Sequence, residues 1–165
     1  MVQVVEDSTQ YLSDDDLEAI AAYLKALPPR VPSGGFDANP AAGERTMTAL
    51  KTGVPEYPGA GIYRSFCARC HQEDGSGVAQ KYPRLAGNPA VIAENPASLI
   101  RLLTEGGSSP TTIDGPTARR MPSFAGKLTD AEMAHVLTFV RNAWGNAAAP
   151  VTARDVELAR NALHK

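Results

Sequence analysis

An all-α fold is predicted for this chain of 165 residues, and three observations predict it. The stretches SDDDLEAIAAYLKAL and TDAEMAHVLTFVRNAW each set apolar residues at helical spacing behind a hydroxyl cap. A third stretch, NPASLIRLLTEGG, opens on an Asn-Pro pair and closes on two glycines. No segment reads as a confident strand of alternating apolar and polar residues.

Along the chain, residues 13–27 form the first helix. Ser13 with Asp16 resembles a capping box, and Leu17, Ile20, Ala21 and Leu24 share one face. Pro28 and Pro29 stop it. Residues 31–57 are rich in Pro and Gly and are predicted to be a connector between units, with a short helix around 41–50. Residues 59–71, GAGIYRSFCARCH, are helical again, with Ile62, Phe66 and Cys70 along one side, and HQEDGSG has loop chemistry. Asn95 caps the next helix, Pro96 opens it, and Gly106 and Gly107 end it. Residues 108–127 have no periodicity, and an irregular stretch of that length inside a domain signals function or ordering by a ligand. Thr129 and Glu132 then form a second capping box ahead of Met133, Val136, Leu137, Val140 and Trp144 on one helical face.

YLSDDDLEAIAAYLK superimposes on KLTDAEMAHVLTFVR, matching caps, apolar stripe and the aromatic pair Tyr23 with Phe139. Two ordinary amphipathic helices with similar caps explain this, and so does a second copy of the domain represented only by its tail.

The composition allows one core. With four Phe and one Trp against 14 Gly and 13 Pro, that core is thin, and a large apolar cofactor would help to fill it. A net charge of -2 without runs of like charge argues against nucleic acid and anionic membrane as partners. The charge is uneven: residues 1–27 carry six acids and one Lys, whereas residues 59–146 carry nine bases and seven acids. No apolar run approaches the ~18 residues of a membrane helix. The start MVQVVEDSTQ lacks a secretory leader's basic and apolar regions, which fits either a cytoplasmic protein or a leader removed upstream.

Both cysteines, Cys67 and Cys70, lie in CARCH with His71. A disulfide over so short a helical turn would be strained and would stabilise little. Zinc needs about four ligands, and beyond these three only His135 and His164 remain, without ligand spacing. A thioredoxin-like pair needs a strand before it, where this chain has a helix. C-x-x-C-H is the attachment sequence of c-type haem, with two thiols on one side of a turn for the vinyl groups and the adjacent imidazole for the iron. Electron-transfer haem needs a second axial ligand, commonly Met. Met133 lies on a core stripe, Met47 in the connector and Met1 at the terminus. That leaves Met121, in the irregular loop before Pro122. His135 as the sixth ligand would turn the last helix's stripe away from the core. His71 and Met121 together would close the iron to substrate, so electron transfer and not enzymatic catalysis is expected. The alternative is a haem sensor or peroxidase-like site with an open sixth position.

On these motifs, residues 59–146 resemble the class I cytochromes c, through GAGIYRSFCARCH, DGSG, YPRLAG, MPSF and the LTDAE helix. The resemblance implies a small all-α haem domain whose first and last helices cross, with Gly61 at the crossing opposite the Phe139 region. It also implies that the Pro83 carbonyl accepts the His71 ring proton, and that Phe66, Leu85, Leu99 and Leu103 touch the haem or line its pocket. The flanking sequence resembles the C-terminal part of three-haem cytochrome subunits of bacterial membrane-associated dehydrogenases for alcohols, gluconate, sugars or aldehydes. That implies residues 1–30 as the tail of a preceding cytochrome domain, 31–57 as connector, 58–147 as the haem domain and 148–165 as a C-terminal tail. It further implies one covalent haem c and a periplasmic place in a respiratory chain. The implied partners are redox proteins, among them a dehydrogenase catalytic subunit and a quinone or terminal acceptor. Two CxxCH motifs of such subunits are missing from this chain. The first helix is expected to pack on the haem domain or to be poorly ordered, and Arg119 and Arg120 are candidates for guiding an acidic partner.

Overall fold

Helix α7, Asp130–Asn142, is the element around which the others are built. Its capping box is reciprocal: Thr129 Oγ1 accepts from Glu132 N at 3.2 Å, and the Glu132 carboxylate accepts from Thr129 N at 2.8 Å. Met133, Val136, Leu137 and Val140 are buried as predicted, joined by Ala134 and Phe139. The buried face is wider than one stripe because α4 (Ala60–Phe66), α6 (Ala97–Glu105) and α8 (Ala153–Leu163) all pack on α7. In this computed structural model the described residues are 2–28, 34–52, 58–115 and 117–163.

At the meeting of α4 and α7, Tyr63, Phe139 and Trp144 form an aromatic cluster with ring centroids 5.0–5.7 Å apart. The close approach falls at Gly59, where a Cβ would stand 2.2 Å from the His135 carbonyl oxygen, and not at Gly61, which has nothing within 4 Å. The expectation for Gly61 is therefore corrected by two residues, because the chain meets α7 just before α4 begins.

The connector and the tail also differ from expectation. α3, Pro40–Thr52, buries Ala42, Thr46 and Leu50, and Thr46 Oγ1 accepts the Trp144 N–H at 2.8 Å. β1 (Gly35–Phe36) pairs antiparallel with β4 (Asn146–Ala147). The described part of 31–57 is thus packed onto the domain, as its buried Ala42 and Leu50 require. The segment predicted as tail contains α8, whose start repeats the reciprocal cap: Thr152 N donates to Asp155 Oδ2 at 2.8 Å and Asp155 N to Thr152 Oγ1 at 3.2 Å. Val156 is fully buried beneath it. Arg141, 1% exposed, binds these layers together by donating to the carbonyls of Val91, Ala93 and Ala149 at 2.8–2.9 Å.

Ahead of these lie α1 (Val2–Asp7), a 3-10 turn (Thr9–Tyr11) and α2 (Asp14–Ala26). α2 forms with Ser13 accepting from Asp16 N, as the sequence predicts. Its apolar face is not buried on the domain built around α7: Ile20 is 45% and Leu24 59% exposed. The core is instead enclosed by residues of α3, α4, α6, α7 and α8.

Candidate functional site

The predicted helix over 59–71 is broken at Cys67, which stands between α4 and α5 (Ala68–His71) with φ -119° and ψ -39°. Cys70 N and His71 N both donate to the Cys67 carbonyl, at 3.1 and 3.0 Å, so the motif is one tight turn. That turn sets Cys67, Cys70 and His71 in the wall of one cavity of about 280 Å³. The two sulfurs are free thiols, not a disulfide. Burial pushes the Cys67 thiol up to about 12, with Cys70 adding to the shift. A redox CxxC needs the opposite, a thiol lowered toward neutrality.

His71 is oriented from behind. Its Nδ1 lies 2.9 Å from the Pro83 carbonyl oxygen. A carbonyl only accepts, so Nδ1 carries the proton and the Nε2 lone pair is left for a metal. The loop that brings Pro83 in is fastened at several points. Gly77 N donates to the His71 carbonyl at 2.9 Å, Leu85 N to Gly75 O at 2.7 Å, and Trp144 Nε1 to Glu73 O at 2.9 Å. Tyr63 Oη donates to the Gln72 carbonyl, and burial raises its pKa, which keeps the hydroxyl a donor. Gly77 has φ +67°, and a Cβ there would stand 2.4 Å from Tyr82 O and 2.6 Å from Pro83 O. Only glycine lets the loop return this closely.

Met121 reaches the cavity from a different part of the chain. β2 (Gly107–Ser108) pairs with β3 (Arg120–Met121), setting Gly107 opposite Met121. Phe124 N donates to Leu103 O at 2.9 Å, and Ser123 Oγ donates to Thr104 O, so the loop is fixed to α6. Met121 lines the same cavity as His71 and the cysteines.

Phe66, Leu102, Pro122 and Phe124 complete the apolar lining. Phe66 meets Phe124 edge-on at 6.1 Å, yet Phe66 is 45% and Leu102 39% exposed. A cleft with two thiols and an imidazole on one wall, a thioether in the same lining and large apolar side chains left uncovered fits a haem. Of the expected pocket residues, Phe66 lines the cavity, whereas Leu85, Leu99 and Leu103 pack with the core. α6 explains the exchange: Ile100, Leu103 and Thr104 are its buried side, and Leu102, about 100° away from Leu103, turns to the cleft. His135 is exposed and outside the lining, and Met133 is fully buried in the core. Met1 and His164 lie outside the described residues. Lys81, Arg119 and Arg120 also line the cavity, with no Asp or Glu among its described lining residues.

The cytochrome c family model matches residues 57–144. The chain is 45% identical to the cytochrome c subunit of a quinone alcohol dehydrogenase from Komagataeibacter europaeus, over 98% of this chain and 34% of that protein. It is 42% identical to the gluconate 2-dehydrogenase cytochrome c subunit of Pantoea cypripedii, over 94% of this chain and 35% of the relative. Cytochrome c-552 of Thermus thermophilus is 34% identical over 65% of this chain and 77% of its own length. The chain spans about a third of the dehydrogenase subunits that it matches.

Proposed function

This chain belongs to the cytochrome c family, and we propose that it carries a single haem c, held through Cys67 and Cys70, ligated by His71 and Met121, and used for outer-sphere electron transfer. The observation that carries the reading is the His71 Nδ1 to Pro83 carbonyl contact of 2.9 Å in a cavity that Met121 also lines.

When bound, the haem supplies a one-electron iron couple. The polypeptide does the rest. The Pro83 carbonyl holds the His71 tautomer and ring orientation, and strengthens the imidazole as a donor. Met121 offers a soft thioether, which favours the reduced metal and raises the potential. Phe66, Leu102 and Phe124 would pack on the bound group, keep water from it and lower the local dielectric. With His71 and Met121 both holding the metal no position would be left for a substrate, so the proposed ligation favours electron transfer over a sensor or peroxidase-like site.

The dehydrogenase relatives support a finer reading: a cytochrome module working at the periplasmic face of a respiratory complex, receiving electrons from a catalytic subunit and passing them to a quinone or terminal acceptor. Residues 1–30 are then the closing part of a preceding haem domain. The unburied apolar face of α2 and its likeness to α7 support that assignment. Lys81, Arg119 and Arg120 at the cleft suit an acidic redox partner.

The test is the optical spectrum of the protein matured with a haem c ligation system. The ferric parent is expected to show the weak red band of thioether-bound haem, and Met121→Ala to lose it while keeping covalent haem. A parent with covalent haem but no such band overturns the ligation and moves the open-site alternative ahead.

A further inference from the structure

The N-terminal segment reaches the limb that carries Met121. Glu6, in α1, accepts the backbone N–H of Thr111 at 2.7 Å, and Gln10, in the 3-10 turn, accepts that of Ile113 at 3.0 Å. The two acceptors thus take alternate amides of one segment. Gln10 is itself aimed, because its amide N–H donates to the Glu6 carbonyl and leaves Oε1 for Ile113.

The strap these residues hold has little else to keep it in place. None of the described residues of 109–118 is buried, and Ile113 is 74% exposed. Among the described residues, Glu6 and Gln10 make the only side-chain hydrogen bonds that reach the strap from elsewhere in the chain. Its far end is tied only to its near end: Arg119 N donates to Ser109 Oγ at 2.8 Å, and Ser109 N to Arg119 O at 2.9 Å. From Arg119 the chain runs directly into β3 and Met121. Motion of the strap therefore reaches the thioether through two residues.

We propose that α1 and the turn after it form a clamp that sets how firmly Met121 holds its place opposite His71, with Glu6 and Gln10 as positioning residues. The inference rests on the His71/Met121 reading above. With the clamp engaged, the strap and β3 move with the N-terminal segment. With it released, Met121 is retained only by the β2 pairing and by the ties of Ser123 and Phe124 to α6.

The test uses the full haem-loaded chain as parent, Glu6→Ala/Gln10→Ala, and Glu6→Gln, which keeps an acceptor for Thr111. Two readouts are taken: hydrogen exchange at the Thr111 and Ile113 amides in the ferrous protein, and the rate at which added imidazole abolishes the thioether band of the ferric protein. Loss of two hydrogen bonds is expected to raise both by about tenfold in the double variant, with Glu6→Gln at the parental values. Unchanged exchange in the double variant shows that the clamp does not form. Faster exchange with unchanged imidazole displacement shows that it does not act on Met121. A parent without the band removes the ligation reading and this role together, so the two failures are distinguishable.

Discussion

One methyl group at Gly59 tests whether α4 and α7 meet where the structure has them. Its Cβ would stand 2.2 Å from the His135 carbonyl oxygen, 2.5 Å from the carbonyl carbon and 2.8 Å from Val136 N. All three are backbone atoms within α7, so no side chain can turn aside. Gly59 also holds φ +97°, where a Cβ alone costs roughly 1–2 kcal/mol. Moving two packed helices apart adds roughly 1–3 kcal/mol. The sum, roughly 2–5 kcal/mol, is a large share of the ~5–15 kcal/mol that holds a domain folded. At a urea slope of about 2 kcal/mol per molar, the midpoint of Gly59→Ala is expected to fall by roughly 1–2.5 M. Gly61→Ala is the control: nothing lies within 4 Å of its Cβ, and alanine in a helix is worth about 0.5–1 kcal/mol over glycine. Urea unfolding of the haem-loaded proteins, followed by far-UV circular dichroism, separates them. Equal midpoints, or the larger loss at Gly61, would refute the placement of the crossing.

The remaining predictions concern the site and its supports. Gly77→Ala forces the Pro83 carbonyl away from His71; on the proposed ligation a weaker acceptor would make the imidazole a poorer donor to ferric iron, so the midpoint potential is expected to rise by about 20–60 mV in a redox titration. An unchanged potential would separate Pro83 from the ligand's tuning. Arg141→Met leaves the carbonyls of Val91, Ala93 and Ala149 without their donor, and is expected to cost about 2–4 kcal/mol in denaturant unfolding. Hydrogen bonds from the Thr129 backbone and side chain hold the Glu132 carboxyl below its ordinary 4.5. A lowered folded pKa contributes stability that is complete above that ordinary value and disappears as pH falls through the folded one. Thr129→Ala should therefore reduce melting temperature at neutral pH and show a shallower loss below about pH 4.5; an acid limb as steep as the parent's contradicts the cap's role.

The site was more legible in the sequence than its frame. Cys67, Cys70 and His71 are adjacent, so their chemistry is local and a five-residue motif carries it. Met121 stands out because Met133 lies on a core stripe, Met47 in the stretch read as connector and Met1 at the terminus, and the structure sets Met121 in the lining of the same cavity as His71. Pro83 came only through the family resemblance, since no local signal says that a carbonyl twelve residues away will face an imidazole. Leu102 was missed although the information was present: once Ile100 and Leu103 are the buried side of α6, helical geometry turns Leu102 outward. The same holds for α8, whose T-x-x-D start is a capping signature passed over as tail. The packing of α3 and β1 was hidden for another reason. Pro and Gly mark breaks in regular structure, and they do not tell whether the chain between the breaks touches a core. The Glu6 and Gln10 contacts join positions about a hundred residues apart, and no periodicity encodes such a meeting.

The buried guanidinium of Arg141 bears on how the polypeptide closes on itself. Among the described residues it has no carboxylate partner and depends on three carbonyls, two from the stretch after the CxxCH motif and one from the start of the C-terminal segment. A bare cation is costly to dehydrate, so burial of Arg141 requires the segment at residue 149 to lie back on α7. A chain cut before that residue is expected to leave the guanidinium hydrated and this side of α7 open to water.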